Sequence, residues 1–472
     1  MTVEKARMDS KKYKIIRLGA VCAGFLLVIV VCNIFLTIEA KKILKTAFAK
    51  EISQKTNGLY QLTFGAVEVN LLTAVAEVKN VKLQMDPKRF RELSTMDSLP
   101  PIYGSIDIQS VELEGVYLLF HNEKEHLEPR HIKINQLQVD IHDNPYTLNV
   151  EQIEFSPKDT LLEVKNLKYA TNIPKGVFTE KDKNHASWMD IAVGDVRLQG
   201  VSVFQKMYAA ERLQISDATF QNYKNQKIPI EHHDMPMVHD VIQRLPLKLA
   251  VRDLQVTNLN IIYEELAENG EMPGRITFNN MNAQATNFTN VPASIAQMNR
   301  LTVSGKLMNE GLIQATINLP VDSLYDCFTI VGTLGTMDAV ALNAIIEPLA
   351  PLKINRGFIQ GLDFNIEGNS VKADISMCLR YNDLGVKILF PIGGQNVDAG
   401  LLSSLVTGLI PQNYPLSNTE CQVQAEYVRN ALHSPFYYLW HIYFEGVKET
   451  AGFTPELQER VEWALSLKHE KK

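Results

Sequence analysis

The sequence predicts a mainly β protein: an N-terminal transmembrane helix followed by a long curved antiparallel sheet, groove-like or sandwich, with C-terminal helices. Three observations carry this reading. Residues 18–38 are apolar and uncharged, apolar and polar residues alternate with a period of two from Leu59 onward, and helical spacing returns only after about residue 395. The 472 residues suffice for a sizeable core, and 46% hydrophobic with 21% charged residues is the composition of an ordered chain.

The first element is the span Leu18–Ile38, whose length matches the roughly 20 residues that cross hydrocarbon as a helix. A cleaved signal peptide has a shorter apolar core ending in small residues, whereas this run meets Glu39 and Lys41. Cys32 follows Val30 and Val31 rather than the small residues that precede a lipidated cysteine. The span is therefore expected to remain as an anchor. Lys5, Arg7, Lys11, Lys12, Lys14 and Arg17 precede it and Lys41, Lys42, Lys45 and Lys50 follow, a thin positive-inside bias. A short basic tail (1–17) on one side and more than 400 residues on the other fit a bacterial inner-membrane anchor with a cytoplasmic N-terminus and a periplasmic body. Residues 39–56, with Ile43, Leu44, Ala47, Phe48 and Ile52 at helical spacing, form a juxtamembrane helix or linker.

The body, 57–394, reads as strands that slip phase. Two apolar residues alternate with polar ones, then Asn80, Gly115, Asn166, Gly200, Asp217, Asn258 or Asn280 intervenes and the alternation resumes one residue out of step. Gly, Asn and Asp tolerate left-handed backbone, so a bulge or bend at each is expected to return the apolar side chains to one face. The first five breakpoints are separated by close to multiples of 17 residues, which predicts strands longer than the usual 5 to 6 residues in an up-and-down meander. Segments 86–101, 172–187 and 224–246 interrupt the pattern as loops, with a helix in Met235–Arg244. A C-terminal helical cap over 395–472 is expected from Leu401, Leu402, Leu405 and Leu409, from Phe436–Val447 and from Pro455–Leu467.

A net charge of −6 argues against nucleic acid, which needs clustered Lys and Arg. Cys327, Cys378 and Cys421 lie outside the span, show no C-x-x-C pairing, and are expected as buried free thiols, with a Cys327–Cys378 bridge the other choice. Nucleotide-binding loops, nucleophile elbows and H-E-x-x-H are missing, so no catalytic residue, cofactor or metal is assigned and no enzyme is expected. Glu231, His232, His233, Asp234, His239 and Asp240 cluster, as do His121, Glu123, Glu125 and His126, but each set reads as a solvated turn without a frame for a metal.

NGLYQLTFGAVEVNLLTAVAEVKNVKLQMD (57–86), GRITFNNMNAQATNFTN (274–290), MDAVALNAIIEPLAPLKINRGFIQGLDFNIEGN (337–369) and LRYNDLGVKILF (379–390), with a Y-x-D-L element at Tyr381–Leu384, resemble the AsmA-like family of Gram-negative envelope proteins. With the anchor, the likeness covers nearly the whole chain. It implies a role in outer-membrane biogenesis and, for relatives with a long groove, movement of phospholipid. An uncovered apolar sheet face costs roughly 25 cal/mol per Å2, which gives acyl chains a physical reason to occupy it. Val196, Leu198, Val201, Val203, Leu254, Val256, Leu259 and Ile261 are the candidate groove lining, and plain core is the alternative for each. The competing function is a periplasmic scaffold that binds an envelope protein through sheet edges or the aromatic segment Phe436, Tyr437, Tyr438, Trp440, Tyr443 and Phe444.

Overall fold

The computed structural model describes residues 58–450, apart from 71–74, 87, 90–103, 116–117, 120–125, 128, 142–143, 182–186, 205–206, 229–233, 246–247, 293–296, 323, 351, 393–394, 399–409 and 416–420. The expected span at 18–38, the juxtamembrane segment and the helices at 401–409 and 455–467 lie outside the described residues. Among the described residues no helix is long and apolar enough to cross a membrane.

The chain runs β1 (Tyr60–Thr63), β2 (Val67–Asn70), β3 (Val75–Met85), β4 (Gly104–Glu114), β5 (Leu118–Leu119), β6 (His126–Leu127), β7 (His131–Ile141), β8 (Tyr146–Ser156) and β9 (Leu161–Thr171). Helix α1 (Lys175–Lys181) follows, inside a stretch expected as loop, then β10 (Ser187–Gln199), β11 (Ser202–Phe204) and β12 (Met207–Asn225). Next come α2 (Val238–Gln243), β13 (Lys248–Leu266), β14 (Gly274–Thr289), β15 (Met298–Leu307), β16 (Gly311–Pro320), β17 (Phe328–Leu334) and β18 (Met337–Asp338). After a 3-10 turn and α3 (Asn343–Leu349), the chain ends its described part with β19 (Leu352–Gly368), β20 (Lys372–Ile392), β21 (Gln395–Asp398), β22 (Val423–Val428) and α4 (Pro435–Thr450). Two strands thus precede the helix in the region predicted as a helical cap.

Twenty of the strands form one large, curved, open sheet. Pairing follows chain order, β3–β4–β7–β8–β9–β10–β12 and then β13–β14–β15–β16–β17–β19–β20, with β1 and β2 on one edge and β21 and β22 on the other. All of these pairs are antiparallel. The exception is β12–β13, parallel from Met207↔Lys248 to Asn225↔Leu266. A parallel pair needs a return crossover, and residues 226–247 supply it with α2 inside the span predicted for a helix. That strap is tied down by Met235 N donating to Ala431 O (2.7 Å), Gln243 Nε2 to Pro320 O (2.9 Å) and Asn290 Nδ2 to Ile242 O (3.2 Å).

All seven predicted breakpoints have positive φ: Asn80 54°, Gly115 69°, Asn166 50°, Gly200 65°, Asp217 56°, Asn258 54° and Asn280 50°. Gly115 and Gly200 close β4 and β10, so the 17-residue arithmetic is not a structural repeat. The others lie within strands, and all but Asn280 fall in line with Gln136 (φ 50°). The ladders skip Asn80 opposite Gln109, Gln109 opposite Gln136, Gln136 opposite Glu151 and Glu151 opposite Asn166. They skip Asn166 opposite Gly194, Gly194 opposite Asp217, and Asp217 beside Asn258. A single crease therefore crosses eight strands, about 34 Å at 4.8 Å per strand. Every strand changes phase there, so that in β7 Ile132, Ile134, Leu137 and Val139 are all buried. The crease residues other than Gly194 are exposed on the opposite face, where Asn166 Nδ2 donates to Glu151 Oε2 (2.5 Å) and Asn258 Nδ2 to Asp217 Oδ1 (2.6 Å).

Cys378 and Cys421 form a disulfide, and Cys327 is free and exposed, which corrects both cysteine expectations. The register Met377↔Val423 places residue 421 diagonally across from 378, and a pairing over 43 residues leaves no local trace in the sequence.

Candidate functional site

Because the phase slips coincide, apolar positions align from strand to strand. One row runs Ala76, Leu113, Ile132, Phe155, Leu162, Leu198, Leu213, Leu254, Ala285, Leu301, Ile317, Ile330, Ile366, Ile375, Ala425, each residue directly opposite the next. A second runs beside it from Val67 and Val78 through Val164, Val196, Ile215, Val256, Ala283 and Val303 to Phe364, Met377 and Val423. Across the crease, Leu167, Val193, Ala218, Leu259 and Met281 form a third row, and Tyr169, Ile191, Phe220, Ile261 and Phe278 a fourth. At about 4.8 Å per strand the first row is close to 70 Å long.

Cover on this stripe varies along it. Over β3–β9 it is closed, with Val111, Ile132, Ile134 and Val139 at most 1% exposed and α1 contributing Phe178. Over β17–β22 it is closed again by α4, whose Tyr438 and Ile442 are buried against Phe328, Phe364, Ile375 and Met377. Between them Leu198, Leu213, Ile215, Leu254, Val256, Leu259 and Ile261 are only half-buried.

Of the eight predicted lining residues, Leu198, Leu254, Val256, Leu259 and Ile261 therefore lie on the half-covered stretch. Val196 sits at its border with the closed core, 9% exposed. Val201 and Val203 lie past the end of β10, half-buried and 46% exposed, outside the rows. Sequence reading missed Leu213, Ile215, Phe220, Ala283 and Met281, although their alternation carried the same signal.

A second feature was not foreseen. Where β12 and β13 end beside α4, Lys224 and Glu265 are each 3% exposed. Lys224 Nζ donates to His433 Nδ1 and lies 5.1 Å from the centre of the Tyr437 ring. Glu265 accepts from Tyr263 Oη (2.5 Å) and from Gln226 Nε2. His433, Tyr437 and His441 stack in sequence, 4.1 and 3.8 Å between ring centres. Burial drives Lys224 down to about 8 against the pull of Glu265, pushes the Glu265 carboxyl up, and with Lys224 nearby holds His433 at about 4.

A depression of about 520 Å3 over β14–β17 is lined by Asn282, Gln284, Thr302, Ser304, Gln314, Thr316 and Thr333 together with Val303, Ala315 and Val331. In the predicted histidine cluster, residues 231–233 lie outside the described residues. His239 is buried with Nε2 3.2 Å from Asp326 Oδ1, which ties the strap to the segment before β17, and Asp240 accepts from Met237 N (2.9 Å) to cap α2. His126 lies in the short β6, and its companions 121–125 are outside the described residues. Among the described residues no three His, Cys, Asp or Glu side chains are grouped to hold a metal. No protein-family model and no curated protein matches the chain.

Proposed function

We propose that this is an AsmA-like protein anchored in a bacterial inner membrane by residues 18–38, whose periplasmic sheet binds or conducts phospholipid acyl chains and performs no catalysis. The observation that carries the reading is the pair of unbroken apolar rows, half-covered over β10, β12, β13 and β14. Such a face is stabilised by any apolar occupant at roughly 25 cal/mol per Å2 of surface it covers. It is shaped as a strip, which suits a chain better than a compact ligand. The Cys378–Cys421 bridge accords with an oxidising compartment.

Of the two surfaces assigned to the scaffold reading, sheet edges and the aromatic segment, the second offers little free area. None of Phe436, Tyr437, Tyr438, Trp440, Tyr443 and Phe444 is exposed, and they pack inward: Phe436 on Tyr263 (4.3 Å) and Tyr443 on Phe364 (5.1 Å). The test is a photoreactive phenylalanine analogue at Val256 or at its outward neighbour Gln255, in the full chain in cells. Adducts of phospholipid mass are expected at 256 and not at 255. Equal labelling at both, or none at either, removes the lipid reading.

A further inference from the structure

The stripe does not stop where α4 covers it. Ile330, Ile366, Ile375 and Ala425 continue the row that carries Leu213 and Leu254, and α4 lies on that continuation. Gly446 brings the helix down onto the sheet, since any side chain there would collide with Met377. The helix thus occupies the ground that an acyl chain following the rows would reach next.

Its attachment is of a kind that can be undone. Among the described residues α4 makes no main-chain hydrogen bond to a strand, whereas β22, which precedes it, is held by six paired residues on β20. Removing α4 breaks no ladder. One end of its seat is polar: Lys224 and Glu265 are buried and His433 and Tyr437 half-buried where the helix begins, and Lys175 forms an ion pair with Glu264 alongside. Burying an ion pair forfeits hydration that is regained when the seat opens. An apolar seat would hold the helix at no such penalty.

We propose that α4 is a displaceable plug, clasped at its N-terminal end by Lys224, Glu265 and His433, and that its departure lengthens the open stripe to the β22 edge for an acyl chain. The inference rests on the lipid reading for its ligand, but the motion of the helix is measurable without lipid. In hydrogen exchange on the full chain in detergent, amides of residues 438–450 are expected to exchange at least tenfold faster than those of 362–366 and 375–379 beneath them. In Glu265→Gln, and separately in Lys224→Met, the helix amides are expected to speed up a further fivefold or more while the strands stay unchanged. Exchange of helix and strands at one common rate in wild type and both variants overturns the plug. A helix that opens locally in a protein whose Val256 position captures no lipid keeps the plug and removes the lipid reading instead.

Discussion

The two halves of the sheet bury the same kind of face by different means. From β3 to β10 the core is almost wholly apolar, and Ser110 is the one buried polar side chain among the described residues. From β12 to α4 the buried set includes Lys224, Asn225, His239, Glu264, Glu265, Thr289, Asn290, Asn299 and Thr450, and a disulfide closes the far edge. The first half is held by burial itself. The second is held by a helix and a strap seated through polar contacts, which specify position while giving less net free energy than apolar packing.

That contrast can be broken most forcefully at the disulfide. Replacing Cys378 and Cys421 with Ala frees a 43-residue loop, and chain-entropy reasoning gives a loss of about 4 kcal/mol. The loss should appear in exchange of β20 and β22 and leave β4 and β7 protected. Equal loss in both halves would show that they unfold as one.

Truncation compares core with stripe. Ile134→Ala, in the closed half, is expected to cost about 3 kcal/mol by urea unfolding, while Val256→Ala on the half-covered stretch costs under about 1. Similar losses would mean that the middle strands are as tightly packed as the ends.

pH sharpens the comparison further. Lys224 has its folded pKa lowered from 10.5 to about 8, so the folded second half binds fewer protons than the unfolded chain between those values. Its stability therefore rises with pH from 8 to 9, by about 1 kcal/mol, below the range near pH 10 where ordinary tyrosines ionise in the unfolded chain. Trp440 fluorescence during denaturation reads this half, and Lys224→Met should flatten the slope. A falling slope over that window would contradict the burial of Lys224.

The smallest expected effect concerns the crease. Asn166→Val puts a β-branched residue at φ 50° and is expected to cost about 1–2 kcal/mol. Asn166→Gly should be nearly neutral, and equal costs for the two would locate the loss in the Glu151 hydrogen bond instead.

Much of this was legible in the sequence, because a left-handed residue inside a strand leaves a local mark. Asn80, Asn166, Asp217, Asn258 and Asn280 could be found from the slip and the residue type together. Gln136 could not, since glutamine has no special ease at positive φ, and Gln109, Glu151 and Gly194 do the same work without it. The lining was readable at Leu254 to Ile261 because period and phase are local. The clasp at Lys224 and the Cys378–Cys421 pairing were not, because they depend on partners 209 and 43 residues away.

The one parallel pairing among the described residues has a consequence for how such a molecule is put together. Seven strands, β3 to β12, end pointing the way they began, and the strap carries the chain back so that seven more, β13 to β20, start from the same side. The topology is in effect two tandem seven-strand runs that repeat the same strand polarity along the oily strip, each advancing it by about 34 Å. Reach is then a matter of arithmetic: adding a whole run would extend the strip without turning it over, whereas adding six or eight strands with the same strap would not keep successive runs aligned.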